Sequence, residues 1–394
     1  MKSCGVIVEY NPFHNGHKYH LEEAKKISNA EVVVAVMSGN FLQRGEPAII
    51  NKWARAEAAI KNGADLVIEL PFAYAVQSAD YFTRGGIKLL HALDVDGVCF
   101  GTDNDEHLDY AKFGKFHQEN ISLIDKKYQE IKNNGDSYPQ LMTQIYREIY
   151  PEWTLDFSSP NHILGMGYAK ENAKYEKPMA VYPIKRLGNH HHDQEIHHTE
   201  FASGTSIRQK AFQTFDEDLR KVLPKETYDE LRANQLIDWE SAWPFLEYQL
   251  VNSKVGGLRK IYQMVEGLEY RLKEAALKAS NFNEFVQLVK SKRYTWTRIQ
   301  RLCTYVLLQI TQEDIEKVWE NSYIRVLGFN NQGRQYLKEK KKSINLPIIT
   351  NINRKNENLV SLDIQAGQIY GLLNRHLTTQ DYYRGPIYIK EEVE

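Results

Sequence analysis

Cysteine is scarce in this chain: three residues in 394, Cys4, Cys99 and Cys303, odd in number and far apart. That excludes a disulfide framework, offers no zinc-ligand spacing, and points to a reducing compartment, the cytoplasm. Long apolar runs are missing as well. None approaches the roughly 20 residues needed to span a bilayer, and the first residues run straight into strand-like sequence without the n- and h-regions of a secretory leader. No membrane is expected to take part. Net charge is nearly absent: 50 Lys and Arg stand against 51 Asp and Glu, for a formal charge of −1. No global field can draw in nucleic acid, so any RNA site has to be a local patch. Repeats and low-complexity segments are lacking too. What remains is an ordinary globular composition, 42% hydrophobic and 26% charged, with 24 tyrosines that could stack on bases.

The length allows two or three domains. Through the first hundred residues, strand-like runs (Gly5–Glu9, Glu31–Met37, Leu66–Leu70, Gly97–Phe100) alternate with helix-like stretches (Lys18–Ser28, Lys52–Lys61, Ser78–Leu93). This alternation predicts an α/β fold, a doubly wound parallel sheet with helices on both faces. Such sheets bind ligands beyond the carboxyl ends of their strands. Residues 104–150 read as a polar helical insertion, Met179–Arg186 as a further strand, and a helix opens at Ser203. Near Thr214 the pattern turns mainly helical. We therefore expect a catalytic domain over 1–213 and a mainly helical domain over 214–394, with strand-like pieces at Leu346–Ile349 and Pro386–Ile389.

The most informative string is His14-Asn15-Gly16-His17, directly after the first apolar run. A strand leads into a tight turn from which a helix starts. The helix end offers unpaired N–H groups and partial positive charge, which suits a phosphate chain. Two imidazoles can donate to oxygens whose charge grows as pyrophosphate leaves, and Gly16 lets a nucleotide come close to the backbone.

The block Val8-Glu9-Tyr10-Asn11-Pro12-Phe13-His14-Asn15-Gly16-His17 resembles the HxGH motif of the Rossmann-like nucleotidyltransferase superfamily, and its longer form resembles one family within it, the bacterial tRNA(Met) cytidine acetate ligases. Four later segments fit the same family: Met37–Phe41 continuing to Arg44–Pro47, Asp65–Pro71, Ser159–Asn161 and Ser291–Arg298. The resemblance implies ATP as a substrate, with His14 and His17 as catalytic residues. It implies a nucleotide site built from Ile7, Val8, Glu9, Tyr10, Asn11, Pro12, Phe13, His14, Asn15, Gly16, His17, Lys18, Tyr19 and His20, joined by Gly101, Asn161 and Arg186. Ser203-Gly204-Thr205-Ser206-Ile207-Arg208 resembles the superfamily's "ISSTxxR" phosphate element, with Ala202 and Gly204 where Ile and Ser are common. Ser203, Thr205 and Arg208 would serve there as helix cap and anion receptor.

The polar loop after the second strand carries Ser38, Asn40, Gln43 and Arg44; Arg44 could receive acetate or pyrophosphate, and Lys52 and Arg55 could add charge to the same mouth. An RNA window follows in the second half, where Lys292, Arg293, Tyr294, Trp296, Arg298 and Arg301 crowd together. Cations there would neutralise phosphates while aromatics stack on unpaired bases. Lys338–Lys342 form a second cationic run. The cluster His190, His191, His192, Asp193, His197 and His198 suits zinc by residue type but matches no closed site, so we expect a loop over the active site and no protein-held metal. Mg²⁺ would be bound mainly through the nucleotide.

The resemblance further implies activation of acetate to acetyl-adenylate and acetylation of the wobble cytidine of elongator tRNA(Met), without acetyl-CoA and with no obligate protein partner. A small-molecule adenylyltransferase of the coenzyme-biosynthesis type would share the HxGH site but have no need of the cationic aromatic window. A non-catalytic RNA-binding protein would have no need of His14, Gly16 and His17.

Overall fold

The runs SCGVIV, VVVAVMS and LVIEL are buried at every position, as strands covered on both faces must be. They form β1 (Ser3–Val8), β2 (Val32–Ser38) and β3 (Leu66–Leu70). Five further strands follow: β4 (Gly97–Thr102), β5 (Ala180–Lys185), β6 (Ile324–Phe329), β7 (Ile348–Ile349) and β8 (Ile387–Tyr388). The structure, a computed structural model, describes residues 1–102, 108–132, 134, 136, 138–150, 159–185, 200–374 and 381–390. Its strands make one sheet in the order β5-β4-β1-β2-β3-β6-β7, with β8 paired to β6. β1 runs parallel to both β2 and β4, so the order reverses direction at β1. That switch point is where an open α/β sheet leaves a crevice at its carboxyl edge. Each valine or isoleucine fully buried against the covering helices contributes about 1.5–3 kcal/mol.

The Asn15–Ser28, Lys52–Lys61 and Ala79–Ala92 helices alternate with the first four strands, as the sequence pattern predicts. The polar insertion is the helices Tyr110–Glu119, Ile121–Ile131 and Tyr138–Ile149. The chain after Thr214 is mainly helical, yet it also supplies β6, β7 and β8 to the sheet begun by β1. β6 lies antiparallel to β3, and the sequence pattern does not single it out. Helices flank it on both sides, and the charged Arg325 interrupts its apolar run. Arg325 is nonetheless buried, donating to Thr350 O at 3.0 Å with its guanidinium 5.7 Å from the Trp53 ring centre.

Asp65 and Glu69, which flank and enter β3, prove to be internal anchors. Asp65 accepts from Val33 N and from Asn330 Nδ2, each at 2.8 Å. Glu69 holds Lys52 Nζ at 2.8 Å, and Lys52 also meets Asp381 at 2.7 Å. Arg55 spends its guanidinium on backbone oxygens, including Glu9 O, Ser38 O and Gly39 O. Lys52 and Arg55 therefore add no charge to the mouth of a site. Both are fully buried: Arg55 ties the carboxyl ends of β1 and β2, and Lys52 the end of β3, to the Lys52–Lys61 helix.

Candidate active site

β1 ends in a turn whose geometry is set residue by residue. Tyr10 takes a left-handed backbone (φ 52°), and its buried ring meets Phe13 and His17 edge-on at 4.7 and 4.8 Å. His14 caps the Asn15–Ser28 helix, its Nδ1 accepting from Gly16 N at 3.1 Å. His17 reciprocates, its Nδ1 accepting from His14 N at 3.3 Å. The two imidazoles stack at 3.7 Å between centres. With Nδ1 used as an acceptor, each neutral ring carries its hydrogen on Nε2. Gly16 is dictated by the same packing: a Cβ there would stand 2.9 Å from His14 Cε1 and 3.0 Å from its Nδ1.

This turn forms one wall of a cavity of about 430 Å³ at the carboxyl edge of the sheet. Three helices present their first turns to it: Asn15–Ser28 through Gly16, Pro160–Asn172 through Asn161, and Gly204–Gln213 through Gly204 and Thr205 with its cap Ser203. None carries an acidic residue in its first turn. The three partial positive ends are therefore not neutralised locally, and the cavity favours an anion. Arg208 stands at the same wall, donating to Asn11 O at 2.7 Å and to Thr205 Oγ1 at 3.3 Å. Arg44 also lines the cavity, and among the described residues its guanidinium has neither a hydrogen bond nor an ion pair.

Of the residues expected at the site, the cavity brings together Ile7, Val8, Glu9, Tyr10, Asn11, His14, Gly16, His17, Tyr19, His20, Arg44, Gly101, Asn161, Ser203, Thr205 and Arg208. It does not include Pro12, Phe13, Asn15, Lys18 or Ser38. Phe13 is fully buried in the core, and Asn15 spends its amide on Glu200 O and Lys221 O at 3.1 and 2.9 Å. Lys18 faces away into solvent. Ser38 is buried, and among the described residues its hydroxyl has no hydrogen-bond partner. Arg186 and His190–His198 lie outside the described residues. The sequence reading missed Glu46 and the apolar walls Phe82, Phe100, Leu164 and Tyr168. The apolar walls carry ordinary core patterning, and nothing in their spacing separates a cavity wall from packing.

The Gly39–Pro47 loop joins this cavity to the segment that carries Lys292–Arg301. Leu42, Gln43, Arg44 and Glu46 line the cavity. The other side of the loop rests on the Trp296–Leu307 helix. Gly45, at φ +90°, lies so close that a Cβ would come within 2.6 Å of the Arg301 backbone. Gln300 Nε2 donates to Arg44 O at 3.0 Å and to Glu46 Oε2 at 2.6 Å, and Trp296 Nε1 donates to Gln300 Oε1 at 2.9 Å. Burial lowers the pKa of Arg301, and the charges of Arg298 and Arg44 add to that. Lys292 and Arg293 are exposed. Tyr294 is buried, with Arg298 and Arg293 at 5.1 and 5.6 Å from its ring centre. It anchors two cations and offers no open face to a base. The Lys338–Lys342 run is elsewhere: Lys340 pairs with Asp94 at 2.6 Å, at the amino edge of the sheet.

The HIGH Nucleotidyl Transferase family model matches residues 1–384. The tRNA(Met) cytidine acetate ligase of Limosilactobacillus reuteri is 43% identical over 395 residues, covering 99% of this chain and all of the relative. The chain belongs to the tRNA(Met) cytidine acetate ligase family. The Bacillus subtilis member of this family is 37% identical over 408 residues, covering 100% of this chain and 98% of the relative. The Thermotoga maritima TmcAL crystal structure (apo, form I) superposes with a TM-score of 0.90 at 30% identity, over 99% of this chain and 100% of that one. A second Thermotoga maritima TmcAL structure, bound with alpha-thio ATP, gives a TM-score of 0.89 at the same identity and coverage. The α/β nucleotidyltransferase fold expected from the motif is the fold found. No helix among the described residues is long and apolar enough to cross a membrane.

Proposed function

We propose that this chain activates acetate with ATP to acetyl-adenylate and pyrophosphate, then transfers the acetyl group to the wobble cytidine of elongator tRNA(Met), giving N4-acetylcytidine and AMP. The observation that carries this reading is the cavity itself: three helix N-termini free of acidic residues meet around a stacked histidine pair, and one wall is docked on a cationic helix. The triphosphate would lie against Gly16, His14, His17 and Arg208. The nucleoside would lie towards Gly101 and Asn161. The carboxylate of acetate is already a competent nucleophile, and Arg44 would receive it beside the α-phosphate. Mg²⁺, held by phosphate oxygens, would offset the charge of the triphosphate. A mixed anhydride is labile to water, so both steps belong in one enclosed site. Residues 1–213 would carry the chemistry and 214–394 the tRNA, with β6–β8 completing the shared sheet. A tRNA substrate places the enzyme in the cytoplasm. The small-molecule adenylyltransferase is not favoured, because the whole-chain relatives are named for tRNA(Met).

The test is an incubation with ATP, Mg²⁺, radiolabelled acetate and bacterial tRNA, without acetyl-CoA. Label recovered in tRNA as N4-acetylcytidine is the expected result. Pyrophosphate exchange driven by another acceptor, with no label in tRNA, would move the function to the small-molecule reading. For the RNA side, Arg298→Ala should weaken tRNA binding and lower the steepness of its salt dependence by about one phosphate contact. An unchanged slope would remove Arg298 from the phosphate contacts.

A further inference from the structure

We infer that Glu9 is the proton acceptor for the acyl-transfer step, meeting the cytidine amine as the base enters between the Gly39–Pro47 loop and the Trp296–Leu307 helix. This role rests on the proposed reaction and adds a residue to its second half.

β1 stands between β4 and β2. Gly101 on β4, Lys185 on β5 and Asn161 line the cavity on one side of β1, while Gln43, Arg44 and Glu46 line it on the β2 side. The histidine pair follows β1, between the two sides. A nucleotide with its phosphates at the histidines and its nucleoside at Gly101 and Asn161 therefore leaves the β2 side for the acceptor. The Trp296–Leu307 helix packs against that same side, through Gln300 on Arg44 O and Glu46. A polynucleotide held by its cations reaches the cavity there first.

Glu9 directly follows β1 and lines the cavity. One carboxylate oxygen, Oε1, accepts from Gln43 N at 2.7 Å, which turns the group towards the β2 side. The other, Oε2, has no hydrogen-bond partner among the described residues. Its carbonyl O takes Arg55 Nη1, so the backbone beneath the carboxylate is held from below. Glu9 thus has one oxygen fixed and one left for a substrate. Burial raises its pKa, the Gln43 N–H bond opposes this, and Glu46 adds to the rise against Arg44 and Arg55. A carboxylate of raised basicity accepts a proton more readily than an exposed one.

Cytidine N4 attacks the acetyl carbonyl carbon of acetyl-adenylate and forms the N–C bond. The bond from that carbon to the phosphate oxygen breaks, its electron pair leaving with AMP. One N4 proton moves to Glu9 Oε2 and then to solvent.

The experiment compares two half-reactions in the full-length protein: acetate-dependent ATP–pyrophosphate exchange, and single-turnover acetylation of tRNA(Met). Glu9→Gln should lower acetylation by about 10²-fold or more, and by at least about tenfold more than it lowers exchange. Wild-type acetylation should fall towards acid pH as one group protonates. The charged or titratable groups around Glu9 are Arg44, Glu46, Arg55 and Tyr168, with His14 and His17 on the adjoining turn. In Glu9→Gln that acid limb should be lost, and in Glu9→Asp it should remain at a lower rate. An equal fall in both half-reactions, no fall in either, or an acid limb retained in Glu9→Gln would each overturn the role. A wild-type protein without acetate-dependent exchange would overturn the functional reading itself, and this role with it.

Discussion

Alanine in place of His17 is expected to slow acetate-dependent ATP–pyrophosphate exchange by about 10²–10³-fold, the usual cost of removing one fixed donor from a developing charge. The ring does two separable things. Its Nδ1 accepts from His14 N and so completes the helix cap. Its Nε2–H, in the neutral ring, would donate to an oxygen of the departing pyrophosphate. It is held in place by an edge contact from Tyr10, a tilted contact from Phe13 and the His14 stack. His17→Asn separates these effects, because its short amide can still accept from the backbone while it lacks the reach of the imidazole. Both variants should lose exchange to a similar degree, whereas His17→Ala alone should lose about 1 kcal/mol of stability with the cap. tRNA affinity, which we propose rests on the Trp296–Leu307 helix, should stay close to wild type. A parallel loss of exchange and tRNA binding would mean that the substitution damages the fold and says nothing about the donor.

The geometry of the His14–His17 turn was legible in the sequence for a physical reason. His14, Gly16 and His17 act through backbone geometry that their spacing alone imposes: a cap, a close approach and a reciprocal cap. The parallel core was legible because strands buried on both faces must be apolar at every position, as β1, β2 and β3 are. The Gly39–Pro47 loop was only half legible. Its polarity marked it as a site, but its docking on Gln300, Arg301 and Thr304 spans about 250 positions of chain and leaves no local pattern. Lys52 and Arg55 misled for the same reason. A cation near a site motif is ordinarily solvated, and the partners that bury these two (Asp381, and the carbonyls of Glu9, Ser38 and Gly39) are remote in sequence. Tyr294 read as a stacking ring because composition records an aromatic among cations. It does not record that Arg298 and Arg293 already lie against it.

The largest stability effect should come from Lys52→Met, at about 3–5 kcal/mol, the usual range for removing one partner of a buried ion pair. Lys52 is enclosed with Glu69, Asp363 and Asp381, so three carboxyl groups share one ammonium. Burial alone would lower the lysine's pKa, but Asp381, Glu69 and Asp363 more than offset this and keep it charged. For Glu69, burial raises the pKa to about 7 despite Lys52, with Asp363 and Asp381 pushing the same way. In the unfolded chain the same carboxyl titrates near 4.5. As pH rises between these two values the unfolded chain gives up its proton first, and the stability contributed by Glu69 declines across that window. Removing Lys52 takes away the one charge that restrains Glu69, so its folded pKa climbs further and the decline continues above 7. The deficit of Lys52→Met relative to wild type should therefore be larger at about pH 8 than at about pH 5.5, measured by denaturant unfolding at both. Adding Glu69→Gln should recover part of the loss at the higher pH. Activity should fall as well, because Glu69, held by Lys52 Nζ, packs against Gly39, so the cluster braces the start of the loop that carries Gln43 and Arg44. A deficit of equal size at both pH values would show that lost packing, and not the three carboxylates, accounts for the destabilisation.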